Sequence, residues 1–70
     1  MIRNYVISSN IKSIEYDYNS RILEIEFHSG GLYQYYDVNL VEYTGLIDAP
    51  SHGKYFHRHV KDVYRYERIR

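Results

Sequence analysis

Leu23, Ile25 and Phe27 alternate with Glu24, Glu26 and His28. A period of two predicts a half-buried strand over Ile22–His28. Ser29-Gly30-Gly31 supplies turn chemistry, and a second alternating run, Leu32 to Val38, follows it. The two runs read as a β-hairpin whose return strand carries Tyr33, Tyr35 and Tyr36. Upstream, Ile14 and Tyr16 alternate with Ser13, Glu15 and Asp17, which predicts a third strand over Ile11–Asp17. Asp17-Tyr18-Asn19-Ser20 is rich in turn formers and joins it to the hairpin. Tyr5, Val6 and Ile7 form a short strand or cover the edge of the core.

The length of the hairpin turn decides which tyrosines are inside. A two-residue Ser29-Gly30 turn pairs Phe27 with Leu32, Ile25 with Gln34 and Leu23 with Tyr36. Tyr36 and Val38 then join the core face, and Tyr33 and Tyr35 stand opposite Glu26 and Glu24. A three-residue turn shifts the register by one and sends Tyr33 and Tyr35 inward instead. The two-residue turn is favoured because it gathers Leu32, Tyr36 and Val38 inside, although it also turns Gln34 inward.

Beyond the hairpin the period lengthens. Asn39 is placed to cap a helix, with Glu42 as its reciprocal partner. Leu40, Tyr43, Leu46 and Ile47 follow at helical spacing. Gly45 costs this helix about 1 kcal/mol against alanine, which implies close packing there. Pro50 separates a second helix, capped by Ser51, in which Phe56 and Val60 face the core while His52, Lys54, Arg58 and Lys61 face water. Val63 to Ile69 alternates weakly, as a short strand would. The expected architecture is α+β: a three-stranded antiparallel meander, two short helices over its Leu23–Ile25–Phe27 face, and a short strand-like C-terminal tail.

At 70 residues the chain is a single domain with a small core. It has no cysteine, which excludes disulfides and thiolate metal sites. Without cross-links, tight aromatic packing or self-association must compensate. No apolar run approaches the roughly 20 residues that span a bilayer. No signal-peptide core is present either, so the cytoplasm is the expected compartment. Ten tyrosines and no tryptophan imply that most rings are core or core-edge and that one or two are left for recognition.

The net charge is zero, but its halves differ. Residues 1–50 carry three basic and seven acidic groups, net −4, whereas residues 51–70 carry six and two, net +4. Either the second segment presents an anion-binding face or the two halves neutralise each other across the fold.

Three stretches together resemble the KTSC domain, a small domain found at the C-terminus of some lysyl-tRNA synthetases and as a standalone bacterial protein. They are Ser8-Ser9-Asn10-Ile11, Tyr33-Gln34-Tyr35, and Ser51-His52-Gly53-Lys54-Tyr55-Phe56 ahead of a basic helix. The resemblance runs from about Val6 to Arg68. Tyr-x-Tyr alone is weakly specific; its combination with the Ser51–Phe56 segment is much more so. Asn39 stands where the family often has proline and His57 where asparagine is common, so an inherited polar role at His57 is in doubt. The family's function is not established, and its fusion to a tRNA synthetase implies a role in RNA binding.

Three constellations are candidates for chemistry. Ser51, Gly53 and Lys54 at a helix N-terminus offer N–H groups and a cation to a phosphate or carboxylate, with Arg58 one turn on. The spacing is not that of a nucleotide P-loop, and plain capping explains the same residues. Tyr33 and Tyr35 would form a base-stacking platform, but in the favoured register Glu15, Glu24, Glu26 and Asp37 surround them and repel a phosphate backbone. The histidines have no metal-ligand spacing, and neither a catalytic cleft nor a nucleophile elbow is apparent. No metal, cofactor or catalytic residue is expected.

The first functional expectation is a non-enzymatic module that binds RNA through Ser51, Gly53, Lys54, Arg58, Lys61 and Arg65, with Tyr33, Tyr35 and Tyr55 as stacking rings. The second is a protein-interaction or self-associating domain in which an acidic sheet face meets a basic helix.

Overall fold

In a computed structural model, residues 3–70 form a five-stranded antiparallel sheet backed by two helices. The strands are β1 (Arg3–Tyr5), β2 (Ile11–Asp17), β3 (Ile22–Phe27), β4 (Leu32–Tyr35) and β5 (Tyr66–Arg68), in that spatial order. The helices α1 (Leu40–Asp48) and α2 (His52–His59) lie in the connection between β4 and β5. The expected meander is therefore the centre of a wider sheet. The lead-in pairs with β2 and the tail with β4, because each offers a short extended backbone to a strand with a free edge.

The hairpin register differs from the expected one. Leu23 pairs with Tyr35, and Ile25 pairs with Tyr33. The loop is the three-residue His28-Ser29-Gly30, closed by hydrogen bonds from Phe27 N to Gly31 O and from Gly30 N to Phe27 O, both 2.9 Å. Gly30 takes the left-handed backbone (φ 105°) that this loop requires. The reason lies in what each register buries. This one places the Tyr33 and Tyr35 rings against Phe27 and Phe56 and returns Gln34 to the polar face. There its amide donates to Glu24 at 3.0 Å. Tyr36, expected inside, lies on the polar face with its hydroxyl donating to Glu67; Val38 is fully buried as expected.

Helices and sheet enclose one core, built on Ile11, Ile14, Tyr16, Leu23, Ile25 and Tyr35 from the sheet and Leu46, Phe56 and Val60 from the helical side. Burying such side chains contributes about 1.5–3 kcal/mol each. The Tyr16 hydroxyl reaches the Val38 carbonyl at 2.5 Å and its ring stacks on Tyr43 at 4.5 Å, which ties α1 to the sheet.

The outer face of the sheet is polar yet closely bonded. Arg3, Glu15, Glu24, Gln34 and Glu67 form one row across all five strands. Arg3 bridges Glu15 at 3.1 Å, pairs with Glu24 and donates to Ser13 Oγ at 2.7 Å. Two adjacent carboxylates would otherwise repel each other across the strands. Ser13 in turn donates to Glu26, which holds that carboxyl below its usual range, and Arg70 meets Glu26 at 2.9 Å.

Both helix caps form where the sequence placed them. Asn39 accepts from Glu42 N at 2.8 Å, and Ser51 accepts from Lys54 N at 3.3 Å. The Glu42 carboxylate does not return to Asn39. It accepts the hydroxyls of Tyr55 and Tyr64, so it ties α1 to α2 and to the tail. Gly45 is needed for that junction, since a β-carbon there would lie 2.9 Å from Tyr55 Cζ.

Gly45→Ala should therefore destabilise the domain by about 1–2 kcal/mol, because overpacking against Tyr55 exceeds the gain in helix propensity. Chemical denaturation measures this, and a stabilised variant would contradict the packing. The Glu42 contact also sets an alkaline limit. It pushes the Tyr55 hydroxyl up to about 12, chiefly by accepting its hydrogen bond. A tyrosine in the unfolded chain titrates near pH 10, so the folded state holds the proton more tightly. Its stabilisation is complete below about pH 10 and is lost as pH rises through about 12. Thermal unfolding followed by circular dichroism should show Tm falling over that interval, and less steeply in Glu42→Gln.

Candidate nucleic-acid interface

The register that turns Tyr33 and Tyr35 inward also builds a groove. Leu23–Tyr35–Tyr66 is one cross-strand row on the helix side of the sheet, and Ile25–Tyr33–Arg68 is the next. Helix α2 covers one end of these rows with Phe56 and leaves the other end open. The result is an open groove of about 520 Å³ between α2, the β3–β4 turn and β5.

Five rings line it. Tyr33 lies 5.6 Å from Phe27, 6.5 Å from Tyr35 and 5.9 Å from Tyr66, centroid to centroid. Phe56 closes the cluster edge-on to Phe27 and Tyr35, at 5.4 and 5.5 Å. Tyr35 is 4% exposed and Tyr66 is 54% exposed, so the cluster passes from core to solvent within one cross-strand pair. Burial pushes the Tyr35 hydroxyl well above the usual tyrosine range, with smaller contributions from Tyr33, Tyr66 and Asp62. At neutral pH it is a protonated donor at the wall of the groove.

The rim is polar. His28 stands at the turn, held by a 3.0 Å hydrogen bond from Nε2 to the Ser8 carbonyl. His57 stands on α2, and Lys61 and Asp62 follow beyond its C-terminus. Asp62 has left-handed backbone (φ 64°) in the turn that ends the helix, a conformation that aspartate tolerates better than most residues. Arg68 lies over the Tyr33 ring, 5.8 Å from guanidinium carbon to centroid.

A shallower depression adjoins the groove around the start of α2, lined by Asn10, Ser51, Gly53, Lys54, His57 and Arg58 among others. The Ser8 hydroxyl accepts from the amides of Asn10 and Ile11, which folds the lead-in loop against this helix end. A β-carbon on Gly53 would meet Asn10 Nδ2 at 3.5 Å, an ordinary contact. Packing thus leaves room for alanine there.

The structure brings most of the sequence candidates together and separates two. Tyr33, Tyr35, Gly53 and Lys61 line the groove, and Ser51, Gly53, Lys54 and Arg58 line the depression. Tyr55 is elsewhere, with its hydroxyl on Glu42 and its ring 4.4 Å from His59. Arg65 also points away, lying over the Tyr36 ring at 5.0 Å. Sequence reasoning missed Phe27, Tyr66, His28 and Asp62. Phe27 was assigned to the core, and the alternation at Tyr64, Tyr66 and Arg68 was the faint signal for Tyr66. Among the described residues no group of three histidine, aspartate or glutamate side chains is placed to hold a metal, and no helix is long and apolar enough to cross a membrane.

Comparison with known proteins follows the same outline. A lysine–tRNA ligase from Nostoc sp. (strain PCC 7120 / SAG 25.82 / UTEX 2576) is 39% identical over 61 residues, covering 87% of this chain and 11% of the ligase. The chain thus spans about a tenth of the length of the ligases it matches. An uncharacterised protein from Stutzerimonas stutzeri is 43% identical over 63 residues, covering 89% of each chain. The crystal structure of a KTSC domain protein from Yersinia pestis superposes with a TM-score of 0.95 at 36% identity, covering 99% of this chain and 97% of that one. The KTSC domain family model matches residues 7–64, and the chain belongs to the KTSC domain family.

Proposed function

We propose that this domain is a non-enzymatic RNA-binding module that takes an unstacked base of a single strand into its aromatic groove. The observation that carries this reading is the common face of the rings and the cations. Tyr33 and Tyr35 are not among the sheet carboxylates. They share a groove with His57 and Lys61, beside Lys54 and Arg58. Aromatic side chains within a cationic surround are what single-stranded nucleic acid requires, since rings stack on bases and cations meet phosphates. The similarity to lysine–tRNA ligases adds a link to an RNA substrate. Ser51, through its cap, holds the N-terminus of α2 in place beside Lys54. Arg65 and Tyr55, placed elsewhere, have no part in this contact.

The alternative, in which an acidic sheet face meets the basic helix of another protein or copy, draws less support. Glu15 and Glu24 are bonded to Arg3, and Glu26 to Ser13 and Arg70, so most carboxylates of that face already have partners within the fold. Light scattering is expected to give a monomer mass at high concentration and low salt; a larger mass that collapses as salt rises would favour the alternative.

The direct test is titration of a labelled single-stranded RNA over a salt series. Three phosphate contacts by Lys54, Arg58 and Lys61 predict that log K falls with log salt with a slope of about −2. Each charge-to-alanine change should flatten the slope by about 0.7. Tyr66→Ala, at an exposed ring, should weaken binding by about 1–3 kcal/mol without unfolding the domain. Absence of binding at low salt, or binding that salt does not weaken, would overturn the proposal.

A further inference from the structure

We infer that Asp62 selects the base held in the groove and that the base is guanine; this rests on the RNA-binding reading above. Asp62 is the one carboxylate lining the groove among the described residues. The residues around it are His57 and Lys61 on the same segment, His28 across the groove, and the Tyr33, Tyr35 and Tyr66 rings. The ion pairs among the described residues use Glu15, Glu24 and Glu26, and none uses Asp62. The sheet carboxylates are thus bonded within the fold, whereas Asp62 is an exposed residue of the turn after α2 that lines the groove. Asp62 and Tyr35 line the same groove.

A carboxylate accepts hydrogen bonds and donates none. It therefore discriminates among bases by the donors on their Watson–Crick edges. Guanine presents two adjacent donors, N1–H and the N2 amino group, which match the two oxygens of one carboxylate. Adenine sets its N6 amino group beside an acceptor nitrogen, and cytosine sets its N4 amino group beside another. Uracil has a single N–H between two carbonyl oxygens. In these three bases a lone pair would face the carboxylate. Guanine also carries O6 next to N1, an acceptor for a protonated hydroxyl. The Tyr35 hydroxyl is a donor of that kind within the same groove.

Charge excludes the simpler occupants. A free phosphate would meet Asp62 inside the groove, so the phosphates of a strand belong outside it, toward Lys54 and Arg58 in the adjoining depression. A small cation would suit an aromatic cage with one acid. It would, however, meet Lys61 in the groove lining, with Lys54 and Arg58 lining the adjoining depression. A neutral base with paired N–H donors, on an anionic strand, satisfies both the carboxylate and the cations.

The test compares uridine hexamers carrying guanosine, adenosine, cytidine or no substitution at one central position, titrated into the domain at low salt. The guanosine hexamer should bind tightest, by about tenfold or more, the discrimination typical of one bidentate base contact. Asp62→Asn keeps the shape and tolerates the left-handed backbone, and it should reduce guanosine binding to the level of the others. Equal binding of all four hexamers, or a guanosine preference that survives in Asp62→Asn, would overturn the role of Asp62 while leaving RNA binding in place. If no hexamer binds, both proposals fall. The same holds if a triarginine peptide, which presents similar paired donors, binds where the hexamers do not.

Discussion

The pairing of Leu23 with Tyr35 is the constraint on which the rest of the molecule depends. A slip of one residue would exchange the faces of β4 and carry every side chain on it to the wrong side. Tyr35 would leave Phe56, so α2 would lose one of its two ring contacts with the sheet. Gln34 would leave Glu24 and enter the core without that partner. Because β5 pairs with β4, the slip would propagate to Tyr66 and Arg68 as well. One turn of three residues, made feasible by a glycine with positive φ, thus sets both the packing of the helices and the contents of the groove.

The two faces of the sheet answer different demands. The inner face is held by burial and by edge-to-face rings, and it opens to solvent where α2 stops covering it. The outer face is held by a bonded row in which Arg3 separates carboxylates that would repel each other. Glu42 does for the helices what Arg3 does for the sheet, since one ionised group satisfies two elements at once. In a domain this small, where burial alone gives a narrow margin, such shared groups replace the cross-links that the sequence lacks.

Much of this was legible from residue order. The three central strands, the caps at Asn39 and Ser51, the close approach at Gly45, and the inward Phe56–Val60 pair all follow from local rules. The register did not, because both turn lengths give a largely apolar face, one burying Tyr36 with Gln34 and the other Tyr33 with Tyr35. The edge strands were faint for a related reason. Every residue of β5 is exposed, so burial leaves only a weak alternation in that segment. The cations of the candidate site were visible as a charge imbalance. The groove beside them was not, because Phe27, Tyr33 and Tyr66 meet only after β4 has paired on both sides.

That double pairing bears on how the domain assembles. The β2–β3 and β3–β4 contacts are local and can form early, as neighbouring hairpins do. The β4–β5 contact must wait for a loop that contains both helices; its Tyr36–Glu67 hydrogen bond joins residues 31 apart. Closing such a loop costs entropy before its contacts repay it. The β5 side of the groove would therefore be the last part of the fold to form and the first to open, and a strand released from β4 would take Tyr66 and Arg68 with it while leaving the hairpins intact.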